Sequence, residues 1–500
     1  MGARRRQAAG MKMNQPPARD ASPILGLLVR CLLALALLAA LGLTAPANAA
    51  NYGDKPNVLF IAIDDLNDWI GALGKREDVK TPNLDQLAAR GTLFTRAYCP
   101  APACNPSRTA IMVGRRPSTT GVYHNDQPWR PVLKDAVTLA QHFQQSGYRV
   151  EGGGKIFHNS FNDQASWQFW MRNPGFPEPQ KRSLQGTGHF DWGAVQASDD
   201  EMGDTKVVDW GIKFLKEKQE RPFFLAVGTI KPHLPFYAPQ KYFDLYPLSQ
   251  VKRPKVLEND LDDIPPAGIK MAKPDGDHKK VVEAGEWEHA IQSYLACISY
   301  VDGQIGRLVQ ALDQSPHAAN TIIILWSDHG WHLGEKQHWR KFALWEEATR
   351  VTFMVVAPGV TKPRQVCGRT VNLLDLYPTL IELCGLPGRD GLEGVSLVPL
   401  LKNPQAPWDH PSLTTHGRDN HGIRTERWRY IRYNDGTEEL YDHDRDPLEW
   451  KNLAKSPEFN QVKLELAKWL PKVNVPDAPR EKASPEDVDD RPKGKKKKNL

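Results

Sequence analysis

Four short apolar runs, rich in β-branched residues, limit the fold of this chain more than any other feature. They are Val58–Ile63, Phe223–Val227, Thr321–Trp326 and Val351–Ala357. Each run is continuous rather than alternating, which is typical of strands buried on both faces of a sheet. Helical patterns lie between the runs, including an apolar stripe from Trp287 to Leu312. This alternation predicts an α/β fold with a large mixed central sheet and helices on both faces.

The charge distribution argues against a nucleic-acid-binding protein. The 500 residues carry a net charge of +6. Residues 1–49 contribute +5 and residues 477–500 contribute +2, so the segment between them carries −1. A folded segment without an excess of basic residues lacks the positively charged surface that binds nucleic acid.

The first 49 residues have the pattern of an export signal. A basic start is followed by the apolar run Cys31–Leu43 and by Ala47-Asn48-Ala49, a small-residue cleavage site. The alternative is a membrane anchor, for which the apolar run is too short. We therefore expect a cleaved signal peptide over 1–49, no stable membrane insertion after cleavage, and export to the periplasm or the extracellular space.

The rest of the chain is expected to form three segments. Residues 50–404 form the main domain, which carries the predicted chemistry. Residues 405–476 form a small α+β domain, with strand-like pieces on either side of the turn signal Asn434-Asp435-Gly436 and a helix at Glu458–Leu470. Residues 477–500 are rich in Pro, Asp and Lys and predict a disordered, Lys-rich tail.

Two of the predicted strands end in ligating side chains. The first runs into Asp64-Asp65, and the Thr321–Trp326 strand runs into Asp328-His329. Ligands bind outside the carboxyl ends of the strands in open α/β sheets, so these pairs are expected to meet at one edge. Three carboxylates repel one another unless a cation lies between them, and oxygen-rich ligation favours Ca²⁺, with Mg²⁺ as the alternative. The competing interpretation is that Asp64 and Asp65 are loop carboxylates or helix caps.

Cys104 is the candidate reactive residue. Pro106 suits the first turn of a helix that ends at Gly114, which places Cys104 at a helix N-terminus, where an anion is stabilised. Arg108 adds a positive charge one turn along. Five cysteines remain after the signal, an odd number that leaves one for chemistry; Cys367 and Cys384, near in sequence, are the first candidates for a disulfide. The competing interpretation of Cys104 is an ordinary cysteine beside a capped helix.

The segment Cys104-Asn105-Pro106-Ser107-Arg108, followed by Gly114–Pro117, resembles the signature of the type I formylglycine-dependent sulfatases. Other parts of the family pattern follow in order, and the resemblance covers most of residues 55–455. It is closest to the iduronate-2-sulfatase branch. The further matching segments are Asn57–Asp65, Thr81–Leu87, Ser327–Gly330 and Leu333–Glu335 for the family, and Gly154–His158, Leu225–Gly228 and Lys231–Phe236 for the branch.

The resemblance implies an alkaline-phosphatase-like fold and hydrolysis of a sulfate ester on a sulfated carbohydrate. A formylglycine, made from Cys104 by a formylglycine-generating maturation system, would be the nucleophile. The resemblance also implies the residue roles. One divalent cation would be held by the modified Cys104 together with Asp64, Asp65, Asp328 and His329. Arg108 and Lys155 would hold the nucleophile, and His158 would act on its second hydroxyl. His233 and Lys341 would bind sulfate and protonate the leaving alcohol. Lys336 stands where many relatives carry His, and Val351-Thr352 replaces their Val-Pro, which puts the substrate in doubt more than the reaction.

The substrate is less well specified than the reaction. Polar and aromatic side chains near the motifs are candidate substrate-binding residues, namely His124, Trp129, Arg130 and His332. The branch resemblance suggests a 2-sulfated uronic acid at a chain end, while algal polymers such as carrageenan, ulvan or fucoidan stay open. Two other functions also stay open. One is a phosphatase or phosphodiesterase of the same superfamily, and the other is a non-catalytic binder of sulfated polysaccharide if Cys104 is not modified.

Overall fold

The computed structural model describes residues 55–184 and 188–481. The predicted signal peptide and the predicted tail beyond residue 481 lie outside the described residues. Within the two described ranges, no helix is both long enough and apolar enough to cross a membrane.

The described residues form 16 strands. They are β1 Asn57–Asp64, β2 Thr92–Tyr98, β3 Arg149–Gly153, β4 Phe169–Met171, β5 Trp192–Val195, β6 Phe223–Pro232, β7 Phe236–Pro239, β8 Thr321–Ser327, β9 His332–Leu333, β10 Trp339–Arg340, β11 Phe353–Val356, β12 Gln365–Asn372, β13 Ser412–Thr415, β14 His421–Arg424, β15 Trp428–Arg432 and β16 Glu438–Asp442.

Eight of these strands form the central sheet, in the order β12-β2-β11-β8-β1-β6-β3-β4. β1 lies between β6 and β8 and is parallel to both, whereas β11 is antiparallel to its neighbours β8 and β2. All eight residues of β1 are buried. The prediction of a mixed sheet with strands buried on both faces is confirmed.

Helices cover both faces of this sheet. Alternate β1 residues point to opposite faces, so Leu59 and Ile61 join a core with the long helix Trp287–Asp313, while Val58 and Phe60 join a core with the helix that begins at Cys104. The α-helices are α1 Pro82–Ala88, α2 Cys104–Val113, α3 Pro117–Thr120, α4 Leu139–Gln145, α5 Gly203–Lys216, α6 Gln240–Phe243, α7 Pro266–Ala272, α8 Asp277–Ala284, α9 Trp287–Asp313, α10 Glu346–Thr349, α11 Leu376–Cys384, α12 Val398–Lys402 and α13 Asn460–Ala467.

The C-terminal part is a four-stranded antiparallel sheet, β13 to β16, with α13 packed against it. The turn signal Asn434-Asp435-Gly436 joins β15 to β16 as predicted. The first five residues of the predicted tail, 477–481, lie among the described residues. The Ala478 N–H donates to the Gly121 carbonyl, at 2.8 Å, and the Glu481 N–H donates to the Asp126 carbonyl, at 2.8 Å.

Cys367 and Cys384, the first candidates for a disulfide, do not pair. Both are free thiols, as are Cys99, Cys104 and Cys297, and all five are buried. Cys367 lies on β12 and Cys384 ends α11, so closeness in sequence does not bring their sulfur atoms together.

Candidate active site

The candidate site lies where β1 and β8 end. The two strands are adjacent and parallel, and Ile63 pairs with Ser327. The next residues of each chain segment are therefore neighbours, and the Asp65 N–H donates to Asp328 Oδ1 at 3.1 Å. Asp65 has a φ of 58°, a left-handed conformation that a non-glycine residue adopts at an energetic cost and that is common at functional sites. The expected meeting of the two acidic pairs at one sheet edge is confirmed.

Cys104 is the first residue of α2 and faces this edge. Its Sγ lies 3.0 Å from Lys341 Nζ, 3.4 Å from His329 Nε2, 3.8 Å from Lys155 Nζ and 3.9 Å from Asp65 Oδ1. The residue is fully buried. Since α2 ends at Gly114 with a φ of 70°, the helix bounds predicted from Pro106 and Gly114 are also confirmed. Four side chains that are far from Cys104 in sequence therefore lie within 4 Å of its sulfur atom.

Arg108 binds the aspartates that follow both strands, Asp64 and Asp328. Its Nη2 donates to Asp64 Oδ1 and its Nε donates to Asp328 Oδ2, both at 2.8 Å. Its Nη1 donates to the carbonyls of Lys155, at 2.5 Å, and Ile156, at 3.1 Å. Burial opposes the charge, but Asp328 and Asp64 outweigh burial and raise the pKa of Arg108. The guanidinium therefore fixes the carboxylates and the loop that carries Lys155.

Lys155 and Lys341 form ion pairs with different aspartates. Lys155 Nζ is 2.5 Å from Asp64 Oδ2, and Lys341 Nζ is 2.8 Å from Asp65 Oδ1. Burial opposes ionisation of Asp64, but Lys155 and Arg108 hold its pKa well below the usual range. Burial raises the pKa of Asp65 to about 7, with Lys341 opposing the rise and Asp64 adding to it.

The donor set fits a divalent cation. Ligand atoms of Asp65, Cys104, Asp328 and His329 all lie within 4.8 Å of one another. Asp65 Oδ2 is buried and makes no hydrogen bond among the described residues. A buried carboxylate oxygen without a donor is costly unless a cation neutralises it. Carboxylate oxygens with one imidazole are ligands that Ca²⁺ and Mg²⁺ accept.

His233 lies beside the carboxylates, and His158 lies at the end of the Lys155 loop. His233 Nε2 is 3.7 Å from Asp65 Oδ2, and its Nδ1 is 2.6 Å from the Leu234 carbonyl. A carbonyl only accepts, so Nδ1 carries the proton of the neutral ring. Burial, Lys155 and Lys341 hold the pKa of His233 well below its usual range. His158 is buried, with its ring 6.0 Å from that of Phe161.

The four predicted substrate-binding residues do not share one wall. His124 lies next to the site, because its carbonyl accepts from Asn105 Nδ2 at 3.0 Å, and its ring is 6.4 Å from that of His416. His332 is fully buried and packs against His338 and Trp345, 5.0 and 6.0 Å away. Substrate contact by His332 stays a prediction.

Trp129 and Arg130 contact the segment from Phe157 to Asp163 instead. Trp129 is 1% exposed, stacks on Phe157 at 5.3 Å and donates to the Phe161 carbonyl at 3.0 Å. Arg130 lies over the Trp129 ring and donates to both carboxylate oxygens of Asp163, at 3.0 and 2.7 Å. The polar groups of these two residues bind the protein, and their contact with substrate stays a prediction.

Sequence reasoning missed His189, which contributes to the lowered pKa of His233. It precedes β5 by three residues, and no local pattern marks it. Its proximity depends on the pairing of β5 with β7, which joins segments more than 40 residues apart and leaves no short-range signal.

Comparisons with known proteins agree with this geometry. The "Sulfatase" family model matches residues 56–386, and the model "N-sulphoglucosamine sulphohydrolase, C-terminal" matches residues 334–475. A "Sulfatase" of Formosa agariphila is 43% identical over 446 residues, which are 84% of this chain and 87% of that protein. The "Iduronate 2-sulfatase" of Homo sapiens is 32% identical over 420 residues, 77% of this chain and 74% of that one. A solved "2-O GAG sulfatase" superposes with a TM-score of 0.67 at 23% identity, covering 87% of this chain and all of that one.

Proposed function

This chain belongs to the sulfatase family, and we propose that it cleaves the sulfate ester of a sulfated carbohydrate through a formylglycine made from Cys104. The observation that carries the proposal is the position of Cys104 Sγ. It lies at a helix N-terminus within 4 Å of two lysines, an imidazole and a carboxylate. The two lysines would place positive charge against a sulfate ester as negative charge grows on its oxygens.

A divalent cation completes the proposed site. Asp64, Asp65, Asp328 and His329 would hold it together with the modified residue 104, and Ca²⁺ is favoured over Mg²⁺ because the donors are mainly carboxylate oxygens. When bound, the cation would withdraw charge from the sulfate oxygens.

The protein side chains would position and transfer protons. The hydrated aldehyde supplies two hydroxyls on one carbon, one to attack sulfur and one whose deprotonation expels sulfate and restores the aldehyde. Lys155 Nζ and the guanidinium of Arg108 would hold the attacking hydroxyl, and His158 would take the proton of the second. Lys341 Nζ would bind the sulfate and donate a proton to the leaving alcohol oxygen. His233 Nε2 would share these roles in the imidazolium form, in which both ring nitrogens carry a proton.

We propose a 2-sulfated uronic acid at a chain end as the substrate. The iduronate 2-sulfatase of Homo sapiens, at 32% identity, supports this choice, and the "Ulvan-active sulfatase" of Formosa agariphila, at 30% identity over 82% of this chain, makes a sulfated algal polymer the second candidate. We further propose that the chain is exported after removal of residues 1–49 and is matured by a formylglycine-generating system. Residues 50–404 would then carry the chemistry, and residues 405–476 would form the C-terminal domain.

The test compares Cys104→Ala with Cys367→Ala, which removes a buried cysteine outside the site. Peptide mass spectrometry of the wild-type protein is expected to find formylglycine at position 104. Sulfate release from an aryl sulfate and from a 2-sulfated uronic disaccharide is expected to vanish in Cys104→Ala and to persist in Cys367→Ala. Full activity of Cys104→Ala, or faster turnover of an aryl phosphate than of the sulfate, would contradict the proposal.

A further inference from the structure

The first turn of α2 is held by the loop 123–127, which has no part in the mechanism above. The free N–H groups at the start of a helix are usually satisfied by the side chain of the preceding residue, but Ala103 offers no acceptor. Asn125 Oδ1 accepts instead from the Asn105 N–H at 3.0 Å. This N–H belongs to the peptide group that joins Cys104 to Asn105. The direction of that peptide group therefore depends on the loop.

The Asn105 side chain ties the same turn to the same loop. Its Nδ2 donates to the carbonyls of His124, at 3.0 Å, and Gln127, at 2.7 Å. Its Oδ1 accepts from Thr109 Oγ1 at 3.2 Å, and the residue is 1% exposed. Both the donor and the acceptor atoms of this amide are thus bound to the protein, so the position of the side chain follows that of the loop.

Gln127 fixes the shape of the loop and joins it to a distant segment. The residue is fully buried. Its Oε1 accepts from the N–H groups of Tyr123, at 2.6 Å, and His124, at 2.8 Å. Its Nε2 donates to the Ala478 carbonyl at 2.8 Å and to Asp477 Oδ1 at 3.3 Å. One amide therefore connects the loop beside α2 to a carbonyl 351 residues downstream.

Residues 475–481, here called the C-terminal strap, lie against the chain that leads into this loop. Three backbone N–H groups of the strap donate to the carbonyls of residues 118, 121 and 126, at 2.9, 2.8 and 2.8 Å. Gly121 has a φ of 78°, and a Cβ there would lie 2.6 Å from the Pro476 carbonyl oxygen. The strap thus approaches the backbone more closely than a side chain would allow. Residues 476–481 lie beyond the segments that the two family models match, so the family pattern does not imply this contact.

The same turn of α2 also contacts the candidate site directly. Ser107 Oγ donates to the Asp328 carbonyl at 2.6 Å, and Arg108 Nε donates to Asp328 Oδ2 at 2.8 Å. Residues two apart in a helix do not face the same side, so Asn105 and Ser107 hold the turn from different directions. One set of contacts runs to Asp328, a proposed cation ligand, and the other runs through the loop to the strap.

We propose that the C-terminal strap, acting through Gln127 and Asn105, positions residue 104 for attack on the sulfate ester. The inference rests on the proposed sulfatase function and adds positioning residues that do not touch the substrate. Attack requires the reacting atoms at near-contact distance, so a displacement of about 1 Å can cost about 100-fold in rate. The strap therefore acts on kcat for every substrate, whatever the sugar.

The first variant, Gln127→Met, removes the bonds of Gln127 to the loop and to the strap while keeping the length of the side chain. It is expected to lower kcat, per molecule that contains formylglycine, about 10-fold to 100-fold on an aryl sulfate and on a 2-sulfated uronic disaccharide alike. KM is expected to change less than about 3-fold, because a positioning residue acts on the reacting atoms rather than on substrate binding. Gln292→Met is the matched control. Gln292 Nε2 also donates to a backbone carbonyl, that of Tyr246 at 2.7 Å, but this bond joins α9 to the segment after α6.

The second variant, Gly121→Ala, displaces the strap without changing Gln127 or Asn105. Its Cβ would meet the Pro476 carbonyl oxygen, whereas Gly147→Ala, with a similar φ of 88° and open space, is the control. Gly121→Ala is expected to lower kcat on both substrates. Because the two variants break the same path, the double variant is expected to lose no more activity than the more damaging single variant. Losses that multiply would show two independent effects and would overturn the proposal.

Hydrogen exchange supplies a readout that needs no turnover. The peptide 104–113 is expected to exchange faster in both variants than in both controls, because the Asn105 N–H loses its fixed acceptor. Equal kcat losses in the controls, or a loss on the disaccharide alone, would overturn the positioning role. So would a lower formylglycine content, measured by peptide mass, with unchanged kcat per formylglycine. A wild-type protein that hydrolyses neither sulfate would refute the proposed function, while faster exchange in the variants would still show that the strap holds the turn.

Discussion

Replacing Arg429 with Met is expected to destabilise the protein by about 3–5 kcal/mol, because removing one partner leaves buried charges unpaired. Arg429 lies on β15 and is fully buried. Its Nη2 donates to Glu346 Oε2 and its Nε to Glu449 Oε1, and Nη1 donates to the Leu344 carbonyl at 2.9 Å. It thus joins the C-terminal sheet to α10 through two carboxylates. Since the unfolding entropy is about 2.1 cal/mol/K per residue, a folded part of this size shifts by about 1 °C per kcal/mol, and the midpoint of thermal unfolding is expected to fall by roughly 3–6 °C.

The size of the effect depends on pH. Burial opposes ionisation of Glu449, but Arg429 and His443 lower its pKa to about 2 from the ordinary 4.5. A carboxylate with a lowered pKa stabilises the fold fully above the unfolded pKa and loses this contribution as pH falls through the folded pKa. Without Arg429 the Glu449 carboxyl binds a proton at a higher pH. The stability difference between wild type and variant is therefore expected to be largest near pH 7 and to shrink below about pH 5.

The assay is urea unfolding at pH 7 and pH 4, followed by tryptophan fluorescence. Arg445→Met is the control, since Arg445 is 81% exposed and its ion pair with Asp442 measures 3.9 Å; it is expected to change stability by less than about 0.5 kcal/mol. A loss below about 1 kcal/mol for Arg429→Met at pH 7, or a loss that is the same at both pH values, would refute the reasoning.

Three further predictions concern the backbone, the cation and the C-terminal segment. Gly154→Ala is expected to abolish activity and lower the unfolding temperature, since its Cβ would lie 1.7 Å from the Gly228 carbonyl oxygen. Gly147 has a similar φ of 88° and open space around it, so Gly147→Ala is expected to lower the free energy of unfolding by only about 1–2 kcal/mol. Equal effects of the two variants in calorimetry would contradict the steric argument. Ca²⁺ at about 100 times its Kd is expected to add about 2.7 kcal/mol to the unfolding free energy of the wild type. Asp328→Asn is expected to lose this response. An unchanged unfolding temperature of the wild type in Ca²⁺ would count against the cation site. Truncation after Asn474 removes three backbone hydrogen bonds to residues 118, 121 and 126 and is expected to lower the unfolding temperature. An unfolding temperature equal to that of the full chain would show that residues 475–481 add nothing to stability.

Local chemistry made much of the site predictable. A continuous β-branched run predicts a buried strand, and the carboxyl ends of parallel strands coincide, so Asp64 and Asp328 could be placed together from sequence. Pro106 and Gly114 bound α2 because one suits the first turn and the other adopts a left-handed φ at the helix end.

Burial and distant pairing could not be predicted in this way. Trp129 and His332 have side chains that would suit a sugar, yet both are buried, and sequence spacing does not report which polar side chains turn inward. His189 and Arg340 are 151 residues apart, and their contact of 3.2 Å depends on tertiary packing that no short-range pattern reports.

The sequence by itself determined the α/β class, the ends of the central strands and the helix that begins at Cys104, because each follows from contacts between residues near in sequence or from a general rule of parallel sheets. Only the tertiary structure decided which arginines and histidines face Cys104 and which brace the fold. That choice depends on packing between distant segments, where a shift of one residue in strand register would turn a side chain to the opposite face.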